Sequence, residues 1–369
     1  MADTFICSRC QEEHTIEDCT FFGDELLCPD CLDEYTCICS HCGDRISQED
    51  SCCDEHIILC RHCADTYYTR CEDCDSLVLF DDLHYLSDDS SDGYCETCYN
   101  RRIREPGIHS YSFKPSPVFY GEGLRFLGVE LEIDGGGESI YHAGLIQEIA
   151  NRDHDHIYIK HDGSLLDGME IVTHPMTIDY HRSEMHWRNI LEKALELGYT
   201  SHKPGTCGLH VHVNRNSLGF SYKEQDDTIA RILFLVENFW HELLRFSRRT
   251  QEQIEHWASR YGRKDDPKEV LNSAKRSGDR YCCVNLTPTY TIEFRMFRGT
   301  LKYNTLIATL QMVERLCDVA LYLSDEQVKS VTWGEFVTGL DPDKTPELIQ
   351  YLKERRLYVN EPVEASEEV

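Results

Sequence analysis

The chain has 369 residues, a formal net charge of −29 and 20 cysteines. Its length predicts more than one domain, while no apolar run approaches the ~18 residues of a membrane helix and the start MADTFICSRC lacks a signal-peptide apolar core. Residues 1–100 hold 25 Asp/Glu against 4 Lys/Arg; such a block repels phosphate backbones, which argues against nucleic acid as a partner here and favours a basic protein surface or cationic peptide.

The first hundred residues contain 16 cysteines, 12 of them in C-x-x-C pairs: Cys7/Cys10, Cys28/Cys31, Cys39/Cys42, Cys60/Cys63, Cys71/Cys74 and Cys95/Cys98. With no export signal, this pattern reads as metal ligation in a reducing, cytoplasmic compartment. Pairs one, three and five start 32 residues apart, and ICSRC…LLCPDC, ICSHC…IILCRHC and RCEDC…GYCETC are copies of one unit. Each copy predicts one four-thiolate tetrahedral site closed by its own two pairs, so three Zn²⁺ in all, with iron–sulfur the remaining alternative and a cross-brace the alternative pairing. Units of this size cannot bury enough surface to fold without metal. Cys19, Cys52 and His84 recur at similar places in the units, either as further ligands or as small-core positions. The units resemble zinc ribbons, treble-clef and LIM-type fingers, a resemblance that implies protein docking without chemistry of their own.

Residues 101–125 carry Pro106, Gly107, Pro115, Pro117, Gly121 and Gly123, which predicts an extended linker with turns. Beyond it, spacing predicts strands near 128–134, 156–161, 168–173, 207–213, 281–286 and 290–297, and helices over 139–152, 178–197, 226–247 and 301–323. Thr332 with Glu335 predicts a capping box and Thr345-Pro346 a further helix start. Trp240 and Trp257 are expected in the core, and Cys207, Cys282, Cys283 and Cys317 as buried thiols. The run of basic residues from Arg245 to Arg280, which includes Arg249 and Arg260, reads either as a solvated helical face or as a segment that contacts phosphates or substrate. The domains are then 1–100, three tandem four-cysteine zinc units; 101–125, linker; 126–325, catalytic; 326–360, a helical extension; and 361–369, an acidic tail.

Four of the predicted strands carry chemistry on their polar faces. In GVELEID, Glu130 and Glu132 oppose Val129, Leu131 and Ile133; in CGLHVHV, His210 and His212 oppose Leu209, Val211 and Val213; in TIEFRMFRG, Glu293 and Arg295 oppose Ile292, Phe294 and Met296. DGSLLDGMEIVTHP adds Glu170. So many facing acids repel one another unless cations sit between them. Mg²⁺, or Mn²⁺ in its place, takes one or two carboxylates plus substrate phosphate oxygens, and Arg295 could neutralise a phosphoryl group in transfer. Strands in hairpins with helices on one side predict an antiparallel α+β domain.

In the order GVELEID, DGSLLDGMEIVTHP, CGLHVHV and TIEFRMFRGT, these motifs resemble those of the amidoligase family, related to glutamine synthetase and glutamate–cysteine ligase, over roughly Ile108 to Tyr322. The resemblance implies an α+β, antiparallel-sheet, glutamine-synthetase-like catalytic domain behind the zinc repeats. It also implies ATP-dependent ligation of a carboxylate to an amine through an acyl phosphate, on a peptide or protein substrate, in a bacterial or phage-infected cell. On this resemblance Glu130, Glu132, Glu170, His210 and Glu293 hold Mg²⁺, with Glu293 and Arg295 in catalysis. His212, Arg295 and Arg298 contact the nucleotide, and Asp162 holds or deprotonates the amine. The phosphate-facing basic residues of glutamine synthetase have no counterpart. Three other functions compete: a guanidino kinase on the same fold, an inactive zinc adaptor, and a zinc hydrolase on His210 and His212, which lacks an H-E-x-x-H helix.

Overall fold

The computed structural model describes residues 4–86, 90–104, 107–202 and 205–359; Pro106 of the expected linker and the expected tail 361–369 lie outside the described residues. The chain forms two compact units, residues 1–105 with 114–116, and residues 106–113 with 117–369.

In the first unit the 32-residue copies are three repeats of one small motif. A strand pair, Thr4–Ile6 with Glu13–Thr15, flanks the first C-x-x-C of repeat one. A 3-10 turn and a second pair, Thr20–Phe22 with Glu25–Leu27, follow. The second C-x-x-C then opens a helix at Pro29–Tyr35, with Cys28 as its N-cap and Pro29 at a position where a missing N–H is harmless. The same order recurs up to the helices Arg61–Tyr67 and Glu96–Arg104. The first two helices run directly into the opening strand of the next repeat, at Thr36 and Tyr68. Among the described residues few apolar side chains per repeat are buried beside the cysteines: Phe5 and Leu27 in the first, Leu59 and Ala64 in the second, Tyr94 and Tyr99 in the third. Cys19 and Cys52 pack against these cores, and His84 stacks on Tyr99 at 4.9 Å.

The second unit is built on a seven-stranded sheet. Its strands, in chain order, are β1 (Ile108–His109), β2 (Leu127–Asp134), β3 (Ile157–Lys160), β4 (Gly168–Thr173), β5 (Gly208–Asn214), β6 (Val284–Asn285) and β7 (Thr291–Arg298). They lie in the spatial order β1-β3-β4-β2-β5-β7-β6. The sheet is mixed: β1 pairs parallel to β3, and the other pairs are antiparallel. This corrects the expectation of a purely antiparallel sheet. Part of the stretch read as an extended linker, residues 101–125, is also regular, with residues up to Arg104 helical and Ile108–His109 on the sheet edge. Proline and glycine had dominated that reading, whereas β3 offers the two residues an unpaired edge to join.

Alternation divides the sheet faces as expected. Val129, Leu131, Ile133, Leu209, Val211, Val213, Ile292, Phe294 and Met296 enter one core with the helices. The predicted helix over 178–197 is two helices, Ile178–Ser183 and Trp187–Glu196, and the one over 226–247 is Tyr222–Asn238 followed by Trp240–Ser247. At the first break the chain turns so that the buried Trp187 indole N–H donates to Nδ1 of His181 at 3.2 Å, while Nε2 of His181 faces the Leu127 carbonyl at 3.1 Å. One ring nitrogen thus accepts and the other donates, which fixes a neutral imidazole. Trp240 is buried as expected, whereas Trp257 stays half-buried beside His256 and Tyr281.

His181 yields a test. Burial pushes it down from 6.5 to about 4, despite the Leu127 carbonyl, and burial does the same to His174. Between those values the unfolded chain takes up a proton that the folded chain refuses. Stability from these groups is therefore complete above about pH 6.5 and is lost as pH falls toward 4, by ~3 kcal/mol for a shift of this size. Urea melts at pH 7 and pH 4.5 should show a smaller acid loss for His181→Asn than for the unchanged protein. Equal losses would refute this assignment.

Candidate functional site

The polar face of the sheet carries the residues singled out by alternation. Register places Glu130 opposite His210, Glu132 opposite Glu170, and His212 opposite Glu293. The Glu130 carboxylate lies 3.2 Å from Nε2 of His212 and 3.3 Å from Nδ1 of His210. His210 also stands 3.6 Å from Glu293 and 3.7 Å from Glu132. Glu293 accepts from Asn285 Nδ2 at 2.7 Å and pairs with Arg295, and Glu132 accepts the Gly208 N–H. Ligand atoms of Glu130, His212 and Glu293 all lie within 4.8 Å of one another, close enough to hold one metal ion. His212, which resemblance gave to the nucleotide, thus stands in a metal-competent group, and His210 is equally close to the acids.

A local irregularity brings in one more cation. Leu209 pairs with Phe297 but Val211 with Phe294, so Arg295 and Met296 together oppose His210. This extra residue is a β-bulge. Strict alternation from Glu293 would send Arg298 to the apolar face; the bulge returns it opposite Gly208, on the His210 side. Nε of Arg295 and Nε of Arg298 are buried without a hydrogen-bond partner among the described residues.

Arg249 joins them from the junction between the helices Trp240–Ser247 and Gln251–Trp257. It is only 6% exposed, and its Nε donates to the Phe297 carbonyl at 3.4 Å. A Cβ at Gly208 would come within 2.5 Å of His210 Nε2 and 2.8 Å of an Arg249 guanidinium nitrogen, so a larger residue there would displace both side chains. The basic run from Arg245 to Arg280 fits neither single reading. Arg249 enters the site, Arg260 pairs with the buried Glu237 at 2.6 Å, and Lys268 and Lys275 are exposed. Nothing in the sequence marks Arg249 among its basic neighbours.

On the other flank Lys160 lies 3.7 Å from Glu170. Asp162, in the turn beyond β3, accepts from the Ser164 N–H at 2.7 Å and repels both Glu132 and Glu170. Burial and the charge of Glu130 hold Glu170 well above the ordinary carboxyl range, against the pull of Lys160. Burial also raises Glu132, opposed by His210. Glu130 goes the other way: burial would raise it, but His212 and His210 hold it well below that range. Burial lowers and Glu130 raises His212, with a net rise. Burial depresses Arg249 to about 10, although Glu132 opposes the shift. Two histidines and the nearby guanidiniums thus balance a carboxylate cluster that sits largely out of water.

The donor set of Glu130, Glu293 and His212, with His210 and Glu132 beside it, fits a divalent cation of the Mg²⁺ or Mn²⁺ type, with imidazole favouring the latter. In the first unit the thiols gather as expected, in-repeat: Cys7/Cys10/Cys28/Cys31, Cys39/Cys42/Cys60/Cys63 and Cys71/Cys74/Cys95/Cys98. Each group could hold a zinc ion. Burial works against the Cys7 and Cys39 thiolates, yet surrounding backbone N–H groups bring both down to about 6. The Ser76 hydroxyl and N–H bring Cys74 to about 6. Burial and neighbouring sulfurs push Cys31 and Cys98 up to about 12. Without a cation each group therefore resists a second thiolate; a bound metal removes that resistance.

Among the described residues no helix is long and apolar enough to cross a membrane. No curated protein matches the chain. Residues 146–317, which hold Glu170, His210, His212, Arg249, Glu293 and Arg295 but begin after the Glu130–Glu132 strand, match the model of the family described as "Putative amidoligase enzyme", and this match supports an amidoligase-type ligase.

Proposed function

We propose that the protein joins a carboxylate to an amine at the expense of ATP, through an acyl phosphate. The observation that carries this reading is a metal-competent acid and histidine cluster with three buried or half-buried guanidiniums beside it, in which His212, Glu293 and the three arginines fall within the segment similar to amidoligases. A carboxylate oxygen attacks the γ-phosphorus and ADP leaves; the amine then attacks the acyl carbon and phosphate leaves. Glu130, His212 and Glu293, with His210 and Glu132 beside them, would hold one or two divalent cations that bind the phosphate oxygens. Arg295, Arg298 and Arg249 offer N–H donors to the phosphoryl group, in a setting where water does not screen them. Asp162, beside Glu132 and Glu170, would receive the amine as a cation and accept its proton. The acidic zinc repeats would recruit a cationic peptide or protein that contributes one of the two groups.

The competing reading, a guanidino kinase, uses the same cations but stops at a phosphorylated guanidine. Incubation of the Mn²⁺- and zinc-loaded protein with ATP and a host lysate, followed by mass spectrometry, separates the two. The ligase reading expects an amide product in step with ADP and inorganic phosphate. ADP with a phosphorylated guanidine and no amide would overturn it.

A further inference from the structure

Asp134, at the end of β2, is nearly fully buried, and its carboxylate organises two loops at the Asp162 end of the site. Its Oδ1 accepts the N–H of Gly135 and of Asp167, each at 2.8 Å, and Oδ2 faces the Leu166 N–H at 3.4 Å. The N–H groups of Gly135 and Gly137 donate in turn to the Asp167 carbonyl at 2.9 and 3.0 Å. Glu138 and His161 close the same contact at 2.8 Å. Loop 135–139, which leads into the helix Ile140–Ala150, and loop 162–167 are therefore one bonded ledge, and not two free tips.

This ledge displays apolar side chains, Leu166 on its second loop and Ile140 and Tyr141 on the first turn of the helix that its first loop enters. Leu166 is 90% exposed, Tyr141 72% and Ile140 66%. The Asp134 carboxylate holds the backbone at Leu166 and Asp167 while the Leu166 side chain stands in solvent. The charged residues of the two loops are acids, Glu138, Asp162 and Asp167, and His161 directly precedes the second loop. Asp162, which opens the second loop, is also in electrostatic reach of Glu132 and Glu170.

We infer that the ledge is the acceptor-docking surface, and that the amine it receives belongs to a peptide: a cationic amine set among the acids, with an apolar neighbouring side chain on Leu166 and Tyr141. Charge complementarity selects the amine, and continuity with Asp162 directs it to the acidic end of the site. Ammonia or a small polar amine would leave the apolar side chains uncovered. This inference rests on the ligase reading for the fate of the amine, but the binding it asserts can be measured without turnover.

The test uses the full-length, zinc-loaded protein and two fluorescent tripeptides, Leu-Lys-Leu and Ser-Lys-Ser, with fluorescence anisotropy as the readout. The expected result is at least tenfold tighter binding of Leu-Lys-Leu. The double variant Leu166→Ser, Tyr141→Ser should abolish that preference while it keeps the unchanged protein's thermal melt and Mn²⁺ binding. Equal binding of the two peptides, or a preference that survives the double variant, overturns the inference. ADP release in the same samples reports on the ligase reading separately: peptide preference without ADP would leave the ledge standing and count against the chemistry. ADP release with no peptide preference would do the reverse.

Discussion

Glu130→Gln, Glu293→Gln and Arg295→Ala are each expected to lower ATP-dependent amide formation by two or more orders of magnitude, the scale of ~3–4 kcal/mol for a lost charge-stabilising donor or ligand. The reason is geometric. Glu130 touches both histidines, and Glu293 sits within ligand distance of Glu130 and His212 while it orients Arg295. Glutamine preserves the shape of glutamate and removes its charge, so a loss would report on electrostatics and not on packing. Arg295→Ala removes a cation whose charge is favoured by Glu293 against the cost of burial. Initial rates of ADP and amide formation over a Mn²⁺ titration would measure these effects, with thermal melts as a control for folding. Because Glu130 sits between two imidazoles, its variant should shift the metal requirement most. If all three variants keep unaltered turnover with intact folds, the polar face is a solvated sheet surface and the reading fails.

Removal of zinc is expected to unfold residues 4–104 and to leave the second unit folded. Each repeat buries only a handful of apolar side chains beside its four thiols. Structural zinc supplies ~10–16 kcal/mol of apparent binding energy to small domains of this kind, and nothing else in the repeats is of that size. Elemental analysis should find three zinc ions per chain. After chelation under reducing conditions, hydrogen exchange should show protection lost through the three repeats and kept in β2, β4, β5 and β7. Cys28→Ser should lose about one zinc ion, whereas Cys19→Ser, which removes a thiol packed against the small core, should lose none. A stoichiometry of two or fewer, or repeats that stay protected without metal, would contradict this.

The chemistry of the chain was legible where its pattern is local. A C-x-x-C turn carries two ligands for one ion whatever surrounds it, so spacing alone paired the cysteines within each repeat, as the structure groups them. Period-two alternation in the same way separated Glu130, Glu132, His210, His212 and Glu293 from the core-facing residues of their strands. Register, by contrast, is a property of two strands. One extra residue at Arg295–Met296 reverses the phase beyond it, and no pattern within β7 announces that Arg298 rejoins the polar face. Arg249 reaches the site from a helix junction, 48 residues in sequence from the Phe297 carbonyl it bonds, and becomes distinct from its basic neighbours only through burial. The parallel edge strand at Ile108–His109 and the Asp134 clamp under Leu166 likewise depend on backbone groups, which every residue carries and sequence therefore does not distinguish. Side-chain type and spacing determined which groups this protein could use for chemistry, and long-range pairing and burial decided which of them share one solvent-poor site.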